Sequence, residues 1–473
     1  MLFTSPTFLF FFLPLTLAFY FLTPWRNAAL LTLSLVFYAW GEPYFVILLV
    51  AVIVLNFQLG LRISDAKTLP VRQRWLTAGI AINILVLVVF KYLDFLIGVL
   101  NTVLAKFHLG PLPLSHIPLP LGVSFFTFQA ISYLMDIHRG HVEVERSLFR
   151  LALFKANFPQ LIAGPIVRYG EMSPDLSNRK VRLAEITDGF ELFLIGLAKK
   201  VLIADTLAVP SDRLMHLPVD QLSAPAAWIG VICFSLQIYF DFSGYTDMAR
   251  GLGRVFGFHF PENFQHPYAA KSIQEFWRRW HMTLSRWFRD YVYIPLGGNR
   301  GAVWKTSLNL WLVFCLCGFW HGASWTFLIW GLWHGAFLVL ERTPFGKGLA
   351  ACPRVVRHLY VIVVVGMGWV FFRSTSLDQA MQYLHQMWLG GGWLASGDAV
   401  LQSLNYFQLS ALVVGIIAAL PVAPRLTRWV ESLTPGHRLA TEVARSVWFI
   451  AITAATFGAI AATTLQSFIY FRF

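Results

Sequence analysis

Apolar runs of membrane-spanning length recur along this chain from one end to the other, and that recurrence limits the fold more than any other feature. FLFFFLPLTLAFYFL occupies residues 8–22 and FVILLVAVIVLNFQLGL residues 45–61. A hydrocarbon core about 30 Å thick takes roughly 20 apolar residues per crossing helix. Composition agrees, with 57% of residues hydrophobic and 13% charged, against about 25% charged in soluble domains. The chain therefore reads as an all-α polytopic membrane protein. Candidate segments fall at 6–24, 27–40, 44–62, 76–100, 117–136, 147–165, 190–207, 225–256 in two pieces, 305–320, 323–340, 359–372, 406–423 and 446–466. They amount to about 11 to 13 transmembrane or re-entrant helices; 27–40 and 305–320 are short enough to be re-entrant or tilted.

The net charge of +13 does not imply nucleic acid, because the basic residues sit in short loops between apolar runs, where they set orientation. Arg26 follows the first span and puts the N-terminus outside. Arg62, Lys67, Arg72 and Arg74 make the next basic loop cytoplasmic, as do Arg342, Lys347, Arg354 and Arg357 further on. The last span, 446–466, then delivers the terminal SFIYFRF to the outer side. The segment KVRLAEITDGFELFLIGLAKK, 180–200, is amphipathic and suits the cytoplasmic interface. Cys233, Cys315, Cys317 and Cys352 show no paired spacing and read as small core residues, with no disulfide framework or zinc site. The first apolar run lacks a basic flank and a cleavage site, so it is expected to remain as a helix. No inverted repeat of the transporter kind is visible, and no stretch reads as an attached soluble domain.

Chemistry concentrates between Lys271 and Gly335. His321 lies between the runs WLVFCLCGFW and SWTFLIW, and a titratable side chain at membrane depth is functional by default. Read as one helix over 271–289, the segment around His281 places Gln274, Trp277, His281, Leu284, Ser285 and Phe288 on one face. Lys271, Arg278, Arg279, Arg286 and Arg289 share an adjacent arc. Such an arc suits a phosphate-bearing ligand and equally suits anionic lipid head groups. Asp241 and Asp247 lie beside an apolar run and need partners there, either those arginines or a histidine to orient. A structural salt bridge is the favoured use.

The runs PENFQHPYAAKSIQEFWRRWHMTLSRWFRDYVYIPLGGNR and GFWHGASWTFLIWGLWHG closely resemble the membrane-bound O-acyltransferase family, in its bacterial branch that O-acetylates alginate, peptidoglycan and cellulose. QIYFDFSGYTDMARG, LGVSFFTFQAISYLMDIHRG and FPQLIAGPIVRY resemble it too. The likeness covers most of residues 1–420, taken as the core domain, with 421–473 as a C-terminal transmembrane helix and a periplasmic FIYFRF tail. The resemblance implies a ring of helices around a thin centre where two funnels meet. It implies His321 as catalytic base, His281 as the second motif histidine, and supporting roles for Asp241, Asn263, Trp277 and Trp325. It also implies a cytoplasmic donor, acetyl-CoA, with Lys271, Arg278, Arg279, Arg286 and Arg289 meeting its phosphates, and no bound cofactor or metal.

FIYFRF also resembles the C-terminal motif of the small protein that accompanies the teichoic-acid D-alanylation enzyme. Tyr470 is therefore expected to be the first acetyl acceptor, passing the group to a periplasmic serine esterase-like acetyltransferase. The other reading of those residues is an ordinary interfacial aromatic belt. The expected protein is thus a multi-pass enzyme of the bacterial inner membrane that acetylates an exported polysaccharide, in contact with membrane lipids and no nucleic acid. The enzyme alternative is D-alanyl or other acyl transfer from a carrier protein. The alternative of another class is a channel or transporter with histidine proton relays.

Overall fold

The computed structural model describes residues 1–391, 404–422, 438–462 and 468–469. Within these, regular structure is helical throughout. Among the described residues, six helices are long and apolar enough to cross a membrane: Phe45–Asp65, Leu69–Lys106, Ala224–Val255, Val303–His321, Arg354–Arg373 and Glu442–Ala462. Three shorter apolar helices, Phe8–Leu22, Trp325–Leu340 and Tyr406–Ala419, accompany them. The protein is a multi-pass membrane protein. Ala224–Val255, expected as two pieces, is one unbroken helix of 32 residues. Its apolar window is 78% buried, against 11% for Glu442–Ala462.

The chain divides into two compact units. The first comprises Met1–Leu192, Ala249–Pro261 and Trp320–Ser324. Its helices are held by an aromatic cluster, in which Phe12 and Phe37 meet Phe158 at 5.5 and 5.3 Å. A reciprocal amide pair adds to this: Asn56 Nδ2 donates to Asn83 Oδ1 at 3.1 Å, and Asn83 Nδ2 to Asn56 Oδ1 at 2.9 Å. Both amides are buried, and such pairs join helices where lipid offers no competing partner. The stretch expected as one segment over 147–165 is instead broken into Leu148–Ala156 and Phe158–Leu161. Pro159 cannot donate to a continuing helix.

The second unit comprises Phe193–Met248, Glu262–Phe319 and Trp325–Phe473. One close helix contact joins Val303–His321 to Trp325–Leu340. A Cβ on Gly318 would lie 2.4 Å from the Phe327 carbonyl oxygen, and one on Gly331 2.2 Å from that of Phe314. Only glycine at both positions permits this approach.

Candidate active site

His321 is the last residue of the helix Val303–His321 and is 3% exposed. The final carbonyls of a helix have no partner inside it. Here they meet an ammonium group: Lys91 Nζ donates to the Trp320 carbonyl and, at 3.3 Å, to that of His321. Lys91 comes from the π-helical turn Val88–Tyr92, whose extra residue per turn reorients the side chains of the run that carries it. The Trp320 ring stacks on Phe128 at 5.3 Å and meets Phe125 edge-on at 5.9 Å. The histidine is thereby held through its own backbone and its neighbour's ring. Sequence reading missed Lys91, although its signal was present as a single cation inside the apolar run ILVLVVFKYLDFLIG.

His281 is fully buried, but the single helix expected over 271–289 is not found. It is two short helices, Ile273–Arg279 and Met282–Phe288, separated by Trp280 in an extended conformation and His281 at φ 43° and ψ 55°. The left-handed backbone costs a non-glycine residue about 1–2 kcal/mol, and the loop before it supplies the compensation. The Met282 N–H goes to the Asn263 carbonyl at 2.9 Å instead of into a helix. Asn263 Oδ1 accepts from the Thr283 N–H at 3.1 Å and its hydroxyl at 2.9 Å. It lies 3.2 Å from His281 Nδ1. An amide oxygen facing Nδ1 requires the proton there, so the lone pair falls on Nε2. Phe242 packs edge-on against the imidazole at 4.8 Å.

The break turns His281 away from its expected face, while the rest of that face stays together. Gln274, Trp277, Leu284, Ser285 and Phe288 line one cavity of about 210 Å³, closed on the other side by Val313, Phe314 and Cys317 of the His321 helix. The Ser285 hydroxyl donates to the Trp277 carbonyl at 3.1 Å and ties the two short helices across the break. Glu341 receives the first N–H groups of Ile273–Arg279, at 3.0 Å from Gln274, where a carboxylate suits the positive end of a helix.

The basic arc is only partly brought together. Arg278 and Arg289 line the cavity and are joined by Arg342, which sequence reading had used only to orient a cytoplasmic loop. Arg279 is turned to Glu275 at 2.7 Å and to the Gln265 carbonyl. Lys271 lines a different cavity, with Arg342 and Arg357, and Arg286 is not among the lining residues of either. Trp325 opens the helix Trp325–Leu340 and is 53% exposed. His334, also missed, is buried against Trp277 at 5.1 Å and Trp330 at 5.2 Å. Neither of its ring nitrogens has a hydrogen-bond partner among the described residues.

Asp241 and Asp247 each pair with a lysine. Lys199 reaches Asp247 at 2.6 Å. Lys200 bridges Asp241 and, at 2.7 Å, Asp205. The second oxygen of Asp241 accepts the backbone N–H of Ile469 at 2.8 Å. Phe468 and Ile469 are 1% and 5% exposed. The Phe468 ring lies 4.7 Å from the Lys200 ammonium and edge-on to Tyr245 at 4.9 Å. Phe468 and Ile469 of the tail are thus seated, and Tyr470 lies outside the described residues.

The family profile described as membrane-bound O-acyltransferase matches residues 6–372. A protein of Azotobacter vinelandii named probable alginate O-acetylase is 44% identical over 88% of this chain and 83% of its own length. The peptidoglycan O-acetyltransferase of Helicobacter pylori is 39% identical over 82% of this chain and 80% of its own. The teichoic acid D-alanyltransferase of Bacillus subtilis is 33% identical over 44% of this chain and 55% of its own. With the match spanning most of the membrane helices and both histidine motifs, this chain belongs to the membrane-bound O-acyltransferase family, as a multi-pass O-acyltransferase.

Proposed function

We propose that the protein carries acetyl groups from cytoplasmic acetyl-CoA across the bacterial inner membrane for O-acetylation of an exported cell-envelope polysaccharide. The observation that carries this reading is the seating of Phe468 and Ile469 against buried Lys200 and Asp241, immediately before Tyr470. A tail anchored in the protein interior suits a tyrosine that takes part in the reaction better than an ordinary interfacial aromatic belt.

The cavity beside the His321 helix supports the donor side. Its volume of about 210 Å³ is below the roughly 300–1,000 Å³ of whole-ligand pockets. It suits the slender acyl end of a thioester, with Arg278 and Arg342 available to donor phosphates and Arg289 paired with Asp290. In the proposed first step the Tyr470 hydroxyl attacks the thioester carbonyl while His321 takes its proton. The C–S bond breaks, the thiolate leaves and recovers the proton from His321, and an acetyl-tyrosine ester remains. His281, its tautomer set by Asn263, serves positioning or proton transfer. A phenol with pKa about 10 is a better leaving group than a sugar alcohol, so the ester retains transfer potential. A periplasmic serine esterase-like partner then takes the acetyl group to the polymer. Splitting one transfer into two is the usual gain of covalent catalysis.

Tyr470→Phe tests this reading, because it keeps the ring and removes the nucleophile. Loss of polymer acetylation is expected, and intact mass of the wild-type C-terminal peptide without the partner should show one added acetyl group. Normal acetylation by the variant would leave the tail as an aromatic anchor only. A second reading, D-alanyl transfer from a carrier protein, draws on the likeness to the Bacillus enzyme. Turnover of a D-alanyl carrier but not of acetyl-CoA would favour it.

A further inference from the structure

In the first unit lies a cavity of about 860 Å³ to which the reaction proposed above assigns no role, lined by Tyr20, Arg26, Asn27, Asn178, Arg179 and Lys180 among others. Three of its lining residues are cations and none is acidic. Arg179 is fixed on several sides. Its Nε donates to the Tyr20 hydroxyl at 2.9 Å, and its Nη2 donates to Asn27 Oδ1. Its guanidinium carbon lies 4.3 Å from the Phe258 ring centre and 5.5 Å from that of Tyr20. The Tyr20 hydroxyl is itself anchored, donating to the Phe256 carbonyl at 2.7 Å. The remaining nitrogen, Nη1, is buried and has no hydrogen-bond partner among the described residues. Arg26 approaches the same Tyr20 ring, its guanidinium carbon at 5.8 Å.

Two features of this arrangement are unfavourable for the protein alone. Like charges converge on one ring with no carboxylate among the cavity's lining residues, and a buried donor is left unsatisfied, which ordinarily carries a penalty. One ligand class removes both costs: an anion with several acceptor oxygens. A guanidinium held by its neighbours at the cavity wall meets an anion without further loss of side-chain freedom, and Arg is the side chain best matched to phosphate oxygens. Beside the cations the wall is apolar, with Pro24, Trp25, Phe149 and Leu176, which suits a phosphate carried on a larger organic group. The basic loops place Arg26 and the 179–182 stretch toward the cytoplasmic leaflet, whose anionic lipids attract such residues.

We propose that this cavity is a binding site for an organic phosphate, with Arg179 as its fixed fork and Arg26 and Lys180 as its neutralising charges. The phosphate comes either from an anionic phospholipid head group or from a soluble phosphate ester. The site is independent of the acyl-transfer reading and stands or falls without it.

The test uses the full-length protein in detergent and the double variant Arg26→Gln/Lys180→Gln. Both of these side chains are exposed, so the fold is kept. Phosphatidylglycerol or phosphatidylcholine is added, and retained lipid is counted by native mass spectrometry. Each cation near a phosphate surface is worth about a five-fold change in affinity, so the double variant should hold phosphatidylglycerol roughly 25-fold more weakly, with phosphatidylcholine unaffected. Arg179→Lys, which keeps the charge and loses the fork, should weaken it as well. A parallel arm titrates pyrophosphate in the absence of lipid. Binding of pyrophosphate that the double variant loses, with lipid retention unchanged, assigns the site to a soluble ester. If neither probe distinguishes the wild type from the double variant, the proposal is overturned and Arg179 only ties Tyr20 to Asn27.

Discussion

Gly318→Ala is the sharpest test of how the fold positions His321. The added methyl would stand 2.4 Å from the Phe327 carbonyl oxygen and 3.1 Å from the Gly331 Cα and nitrogen. A carbon rests against a carbonyl oxygen at about 3.3 Å or more, so the deficit is roughly 0.9 Å. The opposing atoms are backbone, and no rotamer change relieves them. The helices Val303–His321 and Trp325–Leu340 must therefore separate by nearly that amount, and His321 follows Gly318 by three residues on the displaced helix. A misplacement of about 1 Å in a reacting group costs on the order of 100-fold in rate. Overpacking of this kind costs about 1–3 kcal/mol of stability, so the variant should still insert and purify. Thioester turnover by purified protein, beside a melting curve, gives both numbers. A well-expressed Gly318→Ala enzyme within a few-fold of the wild-type rate would refute the reasoning, because the close approach would then not govern the histidine.

Three further outcomes are expected. Lys91→Met removes the ammonium that holds the Trp320 and His321 carbonyls and should lower kcat about 10-fold or more with KM little changed; Lys91→Arg should recover part of the loss, and equal kcat in all three would dismiss the role. Arg278→Gln should raise the donor KM by about five-fold at low salt and less at high salt, whereas Arg279→Gln and Arg289→Gln, already committed to Glu275 and Asp290, should not; a uniform effect across the three would point to lipid contact instead. Glu145 lies in a loop, and although burial raises its pKa, hydrogen bonds from Arg150, the Ser147 N–H and Tyr169 outweigh this and hold it below its usual 4.5. A depressed carboxylate stabilises the fold above its unfolded pKa and loses that contribution as pH falls through the folded value. The melting temperature of Glu145→Gln should accordingly sit below the wild type at pH 7, and the gap should close as pH drops below about 4.5; a gap independent of pH would exclude the linkage.

Much of this protein is decided locally. Apolar runs of spanning length, with cations confined to the joints, leave the backbone little choice but helices, because hydrocarbon offers no partner for an unpaired amide. The same locality made His321 legible, as an imidazole set between two such runs. It also made legible the face of Gln274, Trp277, Leu284, Ser285 and Phe288, since residues on one helical face stay together even when a helix breaks nearby. Pairings between distant parts of the chain were not legible. The sequence marks Asp241 as needing a partner, but only the fold selects Lys200, 41 residues away, and brings Ile469 to it across 228. It carries Lys91 within an apolar run, but only packing sets that ammonium on carbonyls 229 and 230 residues on. The interruption at Trp280 and His281 belongs to the same class. A helical pattern continues through those residues, and the helix stops because the backbone and side chain of Asn263 offer the Met282 and Thr283 N–H groups another partner. Periodicity reports what a segment can do alone, and which of two satisfied states it adopts depends on the groups that tertiary packing brings within hydrogen-bonding distance.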